Sequence, residues 1–344
     1  NRSTITRFAY DGGLTNSGGT VTLNDSTVSD NRGAFYPGPG YKGGGITNMG
    51  GTVTLVNSTV KNNGALFGAG ISNSTYSTLI MRNSTVQANR SGSGIVNEGM
   101  LTVSHSRIID NSASLGGGGI KNRSSAVATI SHSTLSGNVA NGRDYGWGTG
   151  GGIFNDGTMT ISYCTIAGNA TEEYNGEGGG ITNTGVLTIT SSTLSDNEAS
   201  PFYPSYNHPR SCGGAISNRA VQLTNGTSTI SNNRARGSDV DPASTGYGGA
   251  ICSEGGTVTI SNSTITGNSS YNGGGISVPA SSSIQVRLSR RLVRGKRASL
   301  AGAENRKRQQ HGNTVRRDRH QHTVHQLQRK RLLEIGFGDA VAPS

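Results

Sequence analysis

The sequence predicts an all-β solenoid, a parallel β-helix of about ten rungs. Three observations carry that expectation. A unit recurs from Gly12 to Gly275, its apolar residues alternate with period two, and no helical i, i+3, i+4 spacing appears in the repeated body. One copy reads Gly117-Gly118-Gly119-Ile120-Lys121-Asn122, then Ala128-Thr129-Ile130-Ser131, then Ser133-Thr134-Leu135-Ser136-Gly137-Asn138.

Ten copies begin on an aliphatic residue: Leu14, Ile46, Ile71, Ile95, Ile120, Ile153, Ile181, Ile216, Ile251 and Ile276. Glycines precede each start, and an Asn stands two residues after most of them, giving a first short strand that ends in a turn. A second strand follows, as in Thr52-Val53-Thr54-Leu55, with aliphatics on one side and Thr on the other. A third strand such as Ser58-Thr59-Val60 leads to a closing Asn. From the closing Asn to the next start the length varies, and repeat architectures gather such insertions on one face.

Three short strands cannot bury an inner face alone. Stacked units can, each strand pairing in parallel with its equivalent about 4.8 Å away. Inward aliphatics then form columns, and the Asn after each start can bond up and down the stack, with left-handed backbone at the turns. Two irregularities stand out. Asn225-Gly226-Thr227 predicts a bulge or displaced turn in the eighth unit, and Ser253 and Val278 replace the turn Asn in the last two.

The charge is unevenly placed. Residues 287–344 hold 15 Lys/Arg and 4 Asp/Glu, whereas residues 1–286 hold 15 of each. The body is neutral, so nothing in its charge points to nucleic acid. The division of the chain follows: a repeat domain over 1–286, and an Arg/His-rich tail over 287–344. The repeat pattern breaks at Leu288, and the tail reads as disordered or out of frame with the source gene. A stack without a cap would leave an exposed sheet end open to end-to-end self-association.

Three cysteines, Cys164, Cys212 and Cys252, with no C-x-x-C, argue against a disulfide framework and against zinc; Cys164 reads as a small buried residue. Asp239-Val240-Asp241 is one Asp-x-Asp, short of the six to eight oxygens that calcium takes. No cofactor and no metal is expected. No apolar run is long enough for a membrane helix.

Gly213-Gly214-Ala215-Ile216 and Gly248-Gly249-Ala250-Ile251 resemble the GGAI motif of chlamydial polymorphic outer membrane protein repeats. Val28-Ser29-Asp30-Asn31 and Ile265-Thr266-Gly267-Asn268 resemble that family's FxxN motif, with an aliphatic in place of Phe. The resemblance covers residues 12–278 and implies a right-handed parallel β-helix, surface display and adhesion.

Two kinds of candidate site remain. Loop carboxylates Asp144, Glu172 and Glu173, with Glu177 in the same loop, could converge on neighbouring rungs, as a polysaccharide lyase or glycoside hydrolase of the pectate-lyase-like class requires. Loop aromatics Tyr145, Trp147, Tyr174, Tyr203, Tyr206 and Tyr247 could form a strip that stacks on sugar rings. The plain alternative is that the aromatics pack the loops together. Asp30, Asp110 and Asp196, one residue before the closing Asn, read as turn residues. The leading expectation is a secreted or cell-surface, outer-membrane-type repeat protein binding a glycan or a host or neighbouring surface without catalysis. A catalytic β-helix comes second, and a structural stalk that binds nothing third.

Overall fold

The computed structural model describes residues 2–9, 12–33, 43–142, 150–173, 176–201, 210–219, 222–237 and 245–278. Beyond these it describes the backbone of five short strands in the C-terminal segment. All its regular structure is β, and no helix among the described residues could cross a membrane. The chain coils as a right-handed parallel β-helix, each turn adding one strand to each of several long sheets.

The first sheet collects the strands at the unit starts, from Leu14–Asn16 to Ile276–Val278. The second collects the five-residue strands, such as Val127–Ser131, and the third the three-residue strands, such as Thr134–Ser136. Register is preserved throughout: Ile120 faces Ile153, Ile130 faces Ile161, and Leu135 faces Ile166. Alternation follows the pleat. In Val127–Ser131, Ala128 and Ile130 are buried while Val127 and Thr129 are exposed. The columns merge into one core along the axis, where each buried aliphatic side chain contributes about 1.5–3 kcal/mol.

A fourth, seven-stranded sheet follows the closing Asn, from Arg90–Ser91 through Ser112–Ala113 and Val139–Ala140 to Ser269–Ser270. The sequence pattern predicts only three strands per unit. Two residues are too few to show alternation, although Ala113, Ala140, Ala199 and Ala235 supply a buried column of small side chains.

Buried side chains tie the rungs together along the axis. After the first strand, Asn16 donates from Nδ2 to Asn48 Oδ1 at 2.9 Å, and the chain continues through Asn73, Asn97, Asn122, Asn155 and Asn183 to Asn218. Ser253 Oγ accepts the last bond in place of an Asn. The closing asparagines form a second column from Asn31 to Asn268 with spacings of 2.9–3.0 Å. Neither column uses left-handed backbone itself. That conformation falls on the residue before the closing Asn, as at Asp30, Asp110 and Asp196, and on the residue between the second and third strands, as at His132 and Tyr163.

Glycine is required where rungs touch. A Cβ on Gly151 would lie 2.3 Å from the carbonyl oxygen of Ala170 and 2.4 Å from that of Gly179, closer than any side chain tolerates.

Two expectations are corrected. Gln222–Gly226 pairs in register with both neighbours, and Thr227 takes the left-handed turn, so the eighth unit has no bulge. The stack on either side forces the register, and Asn225 lies fully buried between Ile189 and Ile260. Second, Cys212 and Cys252 form a disulfide. Forty residues separate them, but the segment before each glycine run folds over the outer face of the first sheet. Cys212, four residues before a start, thereby reaches Cys252, one residue after the next. Cys164 is free and buried, as expected.

Past residue 286 the stack continues in Gln285–Ser289, parallel to Thr257–Ser261 and in register through Ser289, so the pattern break at Leu288 does not interrupt the strand. Gln321–Val324 then pairs antiparallel with it. Most of the tail lies outside the described residues.

Candidate functional site

The loop-bearing edge is built from positions that recur four residues before each start. Glu177, Cys212, Tyr247 and Asn272 hold this position in successive units and are bridged in parallel. They roof the first sheet. The Thr182 hydroxyl donates to the Glu177 carbonyl at 2.8 Å, and the Ser217 hydroxyl donates to Cys212 Sγ at 3.6 Å. The disulfide joins this roof to the strand of the ninth rung.

Three residues after the start, Arg219 and Glu254 complete the cluster. Arg219 pairs with Glu177 through one nitrogen and with Glu254 Oε2 through Nε at 3.0 Å. Arg210 pairs with Glu254 Oε1 at 3.1 Å, and its guanidinium lies 4.9 Å from the Tyr247 ring centroid. Two carboxylates, two guanidiniums and an aromatic ring thus alternate over three rungs. Glu177 is 2% exposed, and its Oε2 has no hydrogen-bond partner. Burial raises its carboxyl from 4.5 to about 7, against the opposing pull of Arg219; Glu254 adds to the rise and Arg210 opposes it. Both Cys sulfurs and a Glu254 oxygen lie within 4.8 Å of one another, but the disulfide commits the sulfurs to each other.

Of the predicted site residues, Tyr247 sits in this cluster, half-buried beneath Arg210. Glu172 is exposed on the strand Ala170–Glu173, aligned with Ser200 of the next rung. Asp144, Tyr145, Trp147, Tyr174, Tyr203 and Tyr206 lie outside the described residues, as do the Glu173 side chain and Asp239-Val240-Asp241. Arg219 and Glu254 are not among the residues the sequence singles out, and Glu177 is there only as one of several loop acids. Their signal was positional, a charged residue at fixed offsets from three consecutive starts.

A second feature occupies the corner between the second and third sheets. Here one left-handed residue per rung projects outward, and three consecutive ones are His105, His132 and Tyr163. Their rings pile along the rod with centroids 4.9 Å apart, parallel to within 7° and 15°. All three are exposed, Tyr163 at 61%. The next residue in these turns is a small buried one, Ser106, Ser133 or Cys164. In the middle turn, Ser133 donates to the carbonyl of Ser131 at 2.7 Å and accepts from the Ser106 amide at 3.1 Å. Only the outward position is therefore free to be bulky.

These features define the class: a right-handed parallel β-helix repeat protein with a disulfide and an ion-paired cluster on its loop-bearing edge. Residues 1–126 match the family model described as right handed beta helix region, and residues 227–254 match that of the Chlamydia polymorphic membrane protein repeat. The latter segment includes Gly248-Gly249-Ala250-Ile251 and Cys252. The chain is also similar to a solved structure, the crystal structure of pectate lyase Pel9A. Identity is 13% over 84% of this chain and 82% of that one, with a TM-score of 0.41. No curated protein matches the sequence.

Proposed function

We propose that this chain is a secreted or surface-displayed β-helix repeat protein that binds a glycan or a neighbouring surface through its loop-bearing edge. The observation that carries the reading is the half-buried Tyr247 under Arg210, next to Glu254 and Arg219. A ring beside paired charges offers apolar contact and hydrogen bonds to hydroxyl groups together. Two further observations support surface placement. Part of the chain matches a repeat of a membrane protein family, and a disulfide persists best in an oxidising compartment.

The test is a glycan array with a parallel polysaccharide-degradation screen on the full chain and on Tyr247→Ala. Binding without product, lost in the variant, supports the reading. Release of reducing or unsaturated ends would replace it with the enzymatic one, and Glu172 and Glu177 would be substituted next. Silence in both screens would leave a structural stalk.

A further inference from the structure

We infer that the corner carrying His105, His132 and Tyr163 is a separate binding surface for an acidic polysaccharide chain lying along the rod. The inference rests on the surface-binding reading above, but it uses a different face.

The charge at this corner has one sign. Arg82, in register with Ser104, and Arg107, in register with Thr134, flank the stacked rings on adjacent rungs. Both are exposed, and neither has an ion pair among the described residues. No acidic side chain occupies the corner from Arg82 to Thr193 on rungs three to seven. The nearest in sequence to Arg107, Asp110, stands at the far end of the strand Arg107–Ile109. The residues around the rings are hydroxylic: Ser104, Ser131, Ser162, Thr134 and Thr165.

The rings decide which polyanion fits. A single-stranded nucleic acid is held by bases stacked on free aromatic faces. Here the facing sides of His105, His132 and Tyr163 are taken by one another, so the stack presents a row of edges along the rod and a free face only at each end, too few for successive bases. Those edges carry imidazole nitrogens and a phenol hydroxyl, which hydrogen-bond to hydroxyl and acidic groups. A linear chain with acid groups and hydroxyls, repeating along the rod, meets all of these demands.

The experiment is histidine footprinting. The full chain is treated with diethyl pyrocarbonate alone, with dextran sulfate, with uncharged dextran, or with single-stranded DNA. Modification is read separately at His105 and His132 by mass spectrometry, so polymer held on the Arg-rich tail does not register. Dextran sulfate is expected to protect both histidines, and dextran and DNA to leave them reactive. Arg82→Ser combined with Arg107→Ser is expected to raise the half-protecting concentration about tenfold, from losing two screened contacts. Unchanged labelling under dextran sulfate overturns the inference, and so does equal protection by DNA. Loss of glycan binding in Tyr247→Ala with no protection at the corner sinks this inference and leaves the edge site standing. Protection at the corner with binding unaffected in Tyr247→Ala does the reverse.

Discussion

Replacing Glu177 with glutamine removes a titration and keeps the shape. The carboxyl group is almost fully buried and holds its proton up to about 7, against an ordinary 4.5. The folded chain therefore binds that proton more tightly than the unfolded chain. The stability this contributes is fully present below 4.5 and is lost as pH rises through about 7. At about 1.4 kcal/mol per pH unit, the full span is roughly 3 kcal/mol. In Glu177→Gln, Arg219 keeps its bond to Glu254, so no guanidinium is stranded. Urea unfolding followed by far-ultraviolet circular dichroism at pH 4.5 and 8.5 gives the difference between variant and parent. Near parity is expected at the lower pH, and a variant more stable by about 2–3 kcal/mol at the higher. Two competing effects act on Glu177, burial and the attraction of Arg219. A variant less stable at pH 8.5, or a difference that does not change with pH, would mean that the attraction wins and the reasoning fails.

Three other changes probe the stack by the same unfolding assay. Asn138→Ala removes donations to Ile108 O and Asn169 Oδ1 and two bonds accepted from Asn111. With a buried amide left unpaired, a loss of about 3–4 kcal/mol is expected; a loss typical of a surface site would count against the column as a structural element. Cys212→Ser opens a cross-link spanning 40 residues and should cost about 4 kcal/mol, with reducing agent then having no further effect. Asn225→Ile should stabilise by about 1–3 kcal/mol. Asn225 is fully buried with Oδ1 unpartnered, and its neighbours in register are Ile189 and Ile260. A loss there would show that its bond to Ser263 matters more.

What could be read in advance was whatever repeats. The columns from Ile120 to Ile216 and the Asn chain after them are periodic in sequence and sit where periodicity put them. The disulfide was illegible because it depends on how a variable segment folds over a neighbouring strand, which no spacing between Cys212 and Cys252 encodes. Asn225 carries opposite signals at two scales. Locally, Asn-Gly favours a turn, whereas the paired strands on both sides hold it in the core. The Glu177–Arg219–Glu254 cluster needed each unit's departures from the consensus compared by position, because its members lie 35 to 77 residues apart in sequence. His105, His132 and Tyr163 escaped for a related reason. The aromatics were sought in the long loops, whereas these three occupy the shortest turn in the unit.

Both asparagine columns donate in one sense. Along both columns the amide-to-amide bonds run from an earlier rung to the Oδ1 of the next, and in the serine column backbone amides likewise bond forward, as from Ser58 to Ser84. In these amide chains each inner Asn offers its Oδ1 to its predecessor and an Nδ2–H to its successor. A copied unit, such as the 27 residues that separate Asn111 from Asn138, would find matching partners on both sides wherever it was inserted. A unit added in reverse would set amide against amide. Growth by duplication therefore needs no new chemistry at the seam, and the rod can change length by whole turns while its sides diverge freely.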